Sequence, residues 1–577
     1  MNSNFLRVIG AGLSVMVVFT SCDGLKKMLK KQKDIKYTVT PNPIEMHGDS
    51  VVLSASGKFS EKLFQKKVTL TVTPVIKYAG GEKALKPIVL VGEKATTSGQ
   101  KISYTGGSFN YTSEKFAFDP AMRNAKIEIR ATGQFKSKTK DFDPVPLADG
   151  TMATSLLVRN DEKTIMAKDA FVKVVPANQS THIYYQLNQS TVRPTEMKTE
   201  EMKAINDFIA KNLSNPFYEF KGISVSAYAS PDGETDKNEN LAKDRAKSGS
   251  EAMMAEFKKN KDKEVNFGKT KEQFVVGTTR EDWEGFKSLM EQSTMADKDL
   301  ILRVLGMYSD ADQRRKEIKN LSKTYVELAD KILPKLRRSE ITVNVDKKSR
   351  NDDQIKALAT TTPDSLSLEE LLYIGNLITD INTKAQVYRA AEKQYGNDWR
   401  TSNNLGCVLL MQNKISEAGE AFKRAEKVAN GQPAVFNNLG AIEAKNGNRT
   451  AAMELYNKAG NSPETNYNKG IIEIRNGKYN DAVSNFGNFN GHNKALAQLM
   501  SGSAAAVKET IDASNEKEMA YSYYLKAVSM ARQGNSAETV SNLKTAIEKD
   551  GSLKTYAKDD AEFIKMRDKT EFTSLVN

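Results

Sequence analysis

Two groups of residues in this chain have types and spacing that suit recognition chemistry. The first is Ser230, Asp232, Asn238 and Arg245, all within the stretch Ile223 to Ala246. Arg245 offers a planar fork of donors suited to a bidentate grip on a carboxylate. Ser230 offers a hydroxyl without charge, and Asp232, two residues on, offers a carboxylate. The alternative for Arg245 is a place on a helix surface, paired with Glu239 or Asp244. The second group is Asn403, Asn404, Asn437, Asn438 and Asn468, which recur near the start of successive helices. An asparagine amide donates and accepts at once, so it can clamp a peptide backbone. The alternative is that these are exposed surface residues.

Chemistry of other kinds has no support in the sequence. The three histidines, His47, His182 and His492, lie far apart and have no metal-ligand spacing to one another or to a cysteine. No glycine-rich phosphate loop precedes a Lys-Ser or Lys-Thr pair, and there is no nucleophile elbow. No pair of carboxylates stands out for acid–base work. The expectation is a protein that is not an enzyme and uses no metal or cofactor.

The elements that must position the first group are legible. Ile223, Val225 and Ala227 alternate as a strand, Pro231-Asp232-Gly233 makes a turn, and a helix then carries Asn238, Leu241 and Arg245. The order Tyr228, Ser230, Gly233, Asn238, Leu241, Arg245-Ala246 resembles the OmpA-like peptidoglycan-associating domain. Its aspartate position falls on Ser230. Ile183 to Ser190 is similar to that family's first strand and turn, and a helix from about Met197 to Leu213 follows. Val265 to Phe267, continued by Val275-Val276-Gly277, is similar to the third strand. Arg337-Arg338-Ser339-Glu340-Ile341-Thr342-Val343 matches the closing strand. Between them lies a helical insertion, at about 280–334. The resemblance implies an α+β fold over 179–347 and a grip on the peptide stem of peptidoglycan by Ser230, Asp232, Asn238 and Arg245. It gives Arg338 a structural or rim role.

Leu405-Gly406 recurs as Leu439-Gly440, a step of 34 residues, with Ala418, Phe422 and Ala425 answered by Ala452, Tyr456 and Ala459. A third copy starts at Lys469-Gly470, with Ala482 and Phe486. Leu371 to Glu392 and Tyr521 to Ile547 read as degenerate flanking copies. The pattern resembles tetratricopeptide repeats and implies an all-α solenoid over 366–577. Its concave face would hold a protein partner, with the five asparagines as candidate contacts.

Ahead of these, 37–178 reads as an all-β sandwich. Val68, Leu70 and Val72 alternate with threonines, as do Ile127 and Ile129 with charged residues. Ser155 to Val158 and Phe171 to Val175 read as further strands, and turn signals such as Pro41-Asn42-Pro43 and Gly80-Gly81 punctuate the region. Residues 1–21 read as an export signal, with Arg7 before the short apolar run Val8 to Thr20. Small residues before Cys22 resemble the lipobox of bacterial lipoproteins, which implies acylation at Cys22. Residues 22–36 read as a basic linker and 348–365 as a second linker. Cys407 then has no partner, because the chain has 2 cysteines.

The net charge of +13 raises nucleic acid as a partner, which the export signal argues against. The sequence therefore predicts a multidomain cell-envelope lipoprotein in the outer membrane, facing the periplasm. It would tether that membrane to peptidoglycan and recruit proteins through its repeats. The alternative is an adaptor of an assembly, secretion or surface-fibre complex, with an OmpA-like domain that does not bind peptidoglycan. Surface exposure, as an adhesin or nutrient-binding component, is a third reading.

Overall fold

The computed structural model describes residues 23–259, 266–279 and 281–577. The export signal, Cys22 and Val265 lie outside these residues. The chain forms two compact units: residues up to Ala167 with Glu392–Asn577, and Lys168–Ala391.

The first unit joins the N-terminal sheets to the C-terminal helices. Its largest sheet has Lys126–Phe135 antiparallel to Thr69–Tyr78, with Ile127 opposite Ile76 and Ala131 opposite Val72. A three-stranded sheet of Lys36–Val39, Ser54–Phe59 and Gly107–Thr112 shares its core, in which Phe59, Val72, Ile76, Phe109 and Ile127 are buried. The stretch expected to be a basic linker contains a helix, Asp23–Lys30, and its Leu25 and Met28 enter this core. The strand expected at Ser155 to Val158 is instead a 3-10 turn, Thr154–Leu157. Leu157 and Val158 leave the sheets to join the apolar core of the helical region. Arg532 bridges Glu562 and Glu45, and the Arg123 guanidinium stacks 4.2 Å from the Tyr556 ring. Sheets and helices are thereby one packed body.

The C-terminal helices form tetratricopeptide-type pairs: Trp399–Met411 with Ile415–Val428, Pro433–Lys445 with Arg449–Ala459, and Pro463–Arg475 with Tyr479–Phe486. The repeat signature has a steric origin. A Cβ on Gly406 would stand 2.5 Å from the Phe422 ring, on Gly440 2.6 Å from Tyr456, and on Gly470 2.9 Å from Phe486. Each aromatic ring occupies the space that a side chain on the glycine of its partner helix would need.

In the second unit, Arg338–Lys348 runs through a five-stranded sheet. It is antiparallel to Tyr218–Tyr228 on one side and to Gln179–Tyr184 and Val174–Pro176 on the other. Phe274–Thr279 adds in parallel beyond Tyr218–Tyr228. This strand begins after the position expected for it: Phe267 lies in the preceding turn region, buried in the core. Likewise the strand expected at Phe171 to Val175 is displaced to Val174–Pro176 and belongs to this sheet. Helices Glu200–Asn212 and Thr235–Lys258 cover the sheet, with Met202, Ile205, Ile209 and Met253 on Ile223, Val225, Ile341 and Val343. Helices between Trp283 and Leu336 pack around a separate core of Phe286, Met290, Ile301 and Leu328. Residues 348–365, expected as a linker, contain the helix Asp352–Thr361 with Ile355 buried. Gly375 and Tyr388 repeat the glycine–aromatic pairing: a Cβ on Gly375 would stand 2.6 Å from the Tyr388 ring.

Candidate functional site

The five asparagines expected to clamp a peptide backbone do so in the first unit, and the backbone they hold is the chain's own. Residues 159–167, which leave the sheets, run along the first helices of the repeats in the direction opposite to repeat order. Asn404 accepts from the Ala167 N–H at 2.7 Å and donates to its carbonyl at 3.0 Å. Asn438 does the same to Ile165 at 2.8 and 2.9 Å, and Asn468 to Lys163 at 2.7 and 2.8 Å. Asn493 takes Arg159 at 2.9 and 3.0 Å. Each amide thus replaces a neighbouring strand, and the two-residue step from Lys163 to Ala167 is that of an extended chain whose alternate residues face one way; Asp161 is passed over between Arg159 and Lys163.

Asn403 and Asn437 tie the rungs together. Asn403 donates to the Ile165 carbonyl at 3.0 Å and accepts from Asn438 at 2.8 Å. Asn437 donates to the Lys163 carbonyl at 2.9 Å and accepts from Asn468 at 3.1 Å. Asn403, Asn404, Asn437, Asn438 and Asn468 are fully buried rather than exposed, so each unmade bond would cost desolvation as well. Side chains of the held segment add selectivity. Arg159 pairs with Glu516 at 3.0 Å, Asp161 accepts from Tyr467 at 2.9 Å, and the Lys163 ammonium lies 4.7 Å over the Tyr467 ring. The Cys407 thiol lies beneath, donating to the Ile165 carbonyl at 3.6 Å, and burial pushes its pKa up to about 12.

Sequence reasoning missed Asn493 and the held segment. Asn493 falls where the 34-residue step breaks down, and its neighbour His492 is equally buried. The His492 ring bonds the Leu157 carbonyl through Nε2 at 2.8 Å, and burial lowers its pKa to about 4.

In the second unit, Ser230, Asp232, Asn238 and Arg245 line one cavity of about 300 Å3, together with Arg337 and Lys319. The surface alternative for Arg245 is wrong: the residue is 1% exposed, and its guanidinium is turned to backbone carbonyls. Its Nε donates to the Gln189 carbonyl and its Nη1 to the Tyr228 carbonyl, each at 3.0 Å. Burial, with Arg337 nearby, lowers its pKa to about 10, so it remains a cation at neutral pH.

Arg337 is the residue that sequence reasoning left without a role. Its Nε donates to Ser230 Oγ at 3.1 Å and its Nη2 to Asp232 at 3.3 Å. The Ser230 hydroxyl also donates to Asp232. Arg338 pairs with Asp282 and stacks 4.4 Å over Tyr228. Asn238 donates to the Ser230 carbonyl and to Glu281, both at 3.1 Å. The helical insertion reaches the same turn, because Arg315 pairs with Glu281 and donates to the Pro231 carbonyl at 3.0 Å.

Among the described residues no helix is long and apolar enough to cross a membrane, and no cluster of His, Cys, Asp and Glu could hold a metal ion.

Solved structures similar to this chain include YrrB, described as a TPR protein with an unusual peptide-binding site. It shows 18% identity, covering 36% of this chain and 99% of that one, with a TM-score of 0.22. A tetratricopeptide repeat protein from Parabacteroides merdae shows 13% identity over 45% of this chain and 98% of that one, with a TM-score of 0.28. PilF of Pseudomonas aeruginosa shows 13% identity over 39% and 98%, with a TM-score of 0.26. No protein-family profile and no curated protein matches the sequence.

Proposed function

We propose that the chain is a non-enzymatic scaffold of the bacterial cell envelope, anchored in the outer membrane through an acylated Cys22 and facing the periplasm. Its repeats hold polypeptide in extended form, and its OmpA-like second unit serves as an adaptor without a strong hold on the wall. The observation that carries this reading is the asparagine ladder, which grips main chain. Affinity purification of the full chain from detergent-extracted envelopes tests it. Companions at fixed stoichiometry are expected; a chain recovered alone and monomeric would sink the reading.

The cavity favours a second reading, a wall tether, because it gathers Ser230, Asp232, Asn238 and Arg245. Against it, Asp232 is already engaged by Arg337, and Arg245, Arg337 and Lys319 crowd a site that must also take an ammonium. Sedimentation with diaminopimelate-type peptidoglycan, wild type beside Arg245→Ala, decides. Binding lost in the variant would support the tether; no binding by a folded wild type supports the adaptor.

A further inference from the structure

The geometry points to residues 159–167 as a tethered occupant of the repeat groove, a strap that blocks it against any other extended peptide until it leaves. This rests on the reading that the repeats hold extended polypeptide. Three features carry it. The four asparagines make eight bonds to main-chain N–H and C=O groups, so another backbone meets the same donors and acceptors. The strap belongs to no sheet, and its main-chain partners along these positions are side chains of the repeats. Its own side chains use contacts that a partner could reproduce: a cation on the Tyr467 ring, a second cation on Glu516, and a carboxylate on the Tyr467 hydroxyl.

The ligand class follows. It is an extended peptide with free N–H groups at the positions of Arg159, Lys163, Ile165 and Ala167, cationic at the two positions that Arg159 and Lys163 now fill. Proline is forbidden at the position of Ile165, whose N–H reaches Asn438, and tolerated one residue on at Met166, where the ladder bonds no N–H. A tethered strap acts at an effective concentration on the order of millimolar, so a free peptide binds appreciably only when the strap is disabled.

Cys407 reports the state of the groove, because the Ile165 carbonyl covers its thiol. In the full chain carrying Cys22→Ser, maleimide labelling of Cys407 should be slow. Ile165→Pro should speed it about tenfold, since the N–H bond to Asn438 is lost, with circular dichroism unchanged. Met166→Pro should leave it slow. A synthetic peptide of residues 158–168 should slow labelling of the Ile165→Pro variant again, and should fail once Asn438→Ala is added. Equal rates for wild type and Ile165→Pro, equal rates for the two proline variants, or a peptide without effect would each overturn the proposal.

If Ile165→Pro does not fold, residue-resolved hydrogen exchange on the wild type decides. Slow amides at Lys163, Ile165 and Ala167 with fast amides at Glu162, Thr164 and Met166 support the strap. Uniform exchange along 159–167 overturns it. Failure here would leave the envelope scaffold standing, because that reading is tested by the companions recovered with the full chain.

Discussion

Asn438 holds both main-chain groups of Ile165, the N–H at 2.8 Å and the carbonyl at 2.9 Å, across 273 residues of sequence. One side chain therefore does for Ile165 what an adjacent strand does in a sheet. Replacing Asn438 with alanine removes both bonds and leaves buried polar groups unmet, at a cost of about 2–4 kcal/mol. Asn438→Asp should cost more, because a buried carboxylate accepts from the N–H but repels the carbonyl. Urea unfolding of the full chain, followed by circular dichroism, measures both; equal stability of Asn438→Ala and wild type would contradict the ladder.

Gly440 and Tyr456 form a second pair. Gly440→Ala places a methyl 2.6 Å from the Tyr456 ring, so a cost of about 1–3 kcal/mol is expected from overpacking. Tyr456→Leu in the same chain should recover part of that loss, because the smaller side chain withdraws from the helix. Thermal melts of the two single variants and the double variant give the coupling; simple additivity would refute the contact as the reason for the repeat signature.

His492 makes stability fall with acid. Its folded pKa, about 4, lies below the ordinary imidazole value because burial opposes the charged form, and its Nδ1 has no hydrogen-bond partner. The neutral ring is thus the folded form. Its contribution is complete above pH 6.5 and is lost as pH falls from there towards 4, by about 3 kcal/mol. Melting temperature against pH should fall over that window in wild type and less steeply in His492→Gln. Parallel curves would mean that other groups set the acid limit.

Asp232 is held by Arg337 at 3.3 Å. Arg337→Gln releases that carboxylate and removes a cation, so sedimentation with diaminopimelate-type peptidoglycan should rise. Ser230→Asp restores a carboxylate at the position where the OmpA-like pattern has one and should raise it further, by about tenfold for one charge-assisted bond. If neither substitution changes sedimentation of a folded protein, the cavity is not a site for a peptide stem.

The sequence shows the receptor better than the ligand. Asn403, Asn404, Asn437, Asn438 and Asn468 stand out because the glycine–aromatic packing imposes a period that carries the asparagines with it. Asn493 escapes notice where that period fails. Residues 159–167 have no period, because the strap is held by amides rather than by a sheet with one apolar face, so neither strand nor helix patterning marks it. In the second unit the strand, turn and helix around Ser230 are legible from alternation and turn chemistry. The burial of Arg245 is not, since two of the carbonyls that receive it, those of Gln186 and Gln189, come from another segment. Arg337 lay in plain view beside Arg338, but it sits in the bend between the helix Leu333–Leu336 and the strand that starts at Arg338, and spacing alone does not say that this bend turns it towards Asp232.

The separation between strap and ladder sets an order of events during synthesis. Ala167 waits 237 residues for Asn404, and Arg159 waits 334 for Asn493. When the N-terminal sheets have emerged, the segment that follows them has nothing to dock against, and it stays without its partners until almost the whole chain is present. Closing so long a loop is slow, and the interval exposes unpaired main chain. A chain truncated before Asn493 would lack its last rung however well its sheets had formed, which makes the ladder a check on completeness written into the order of the residues.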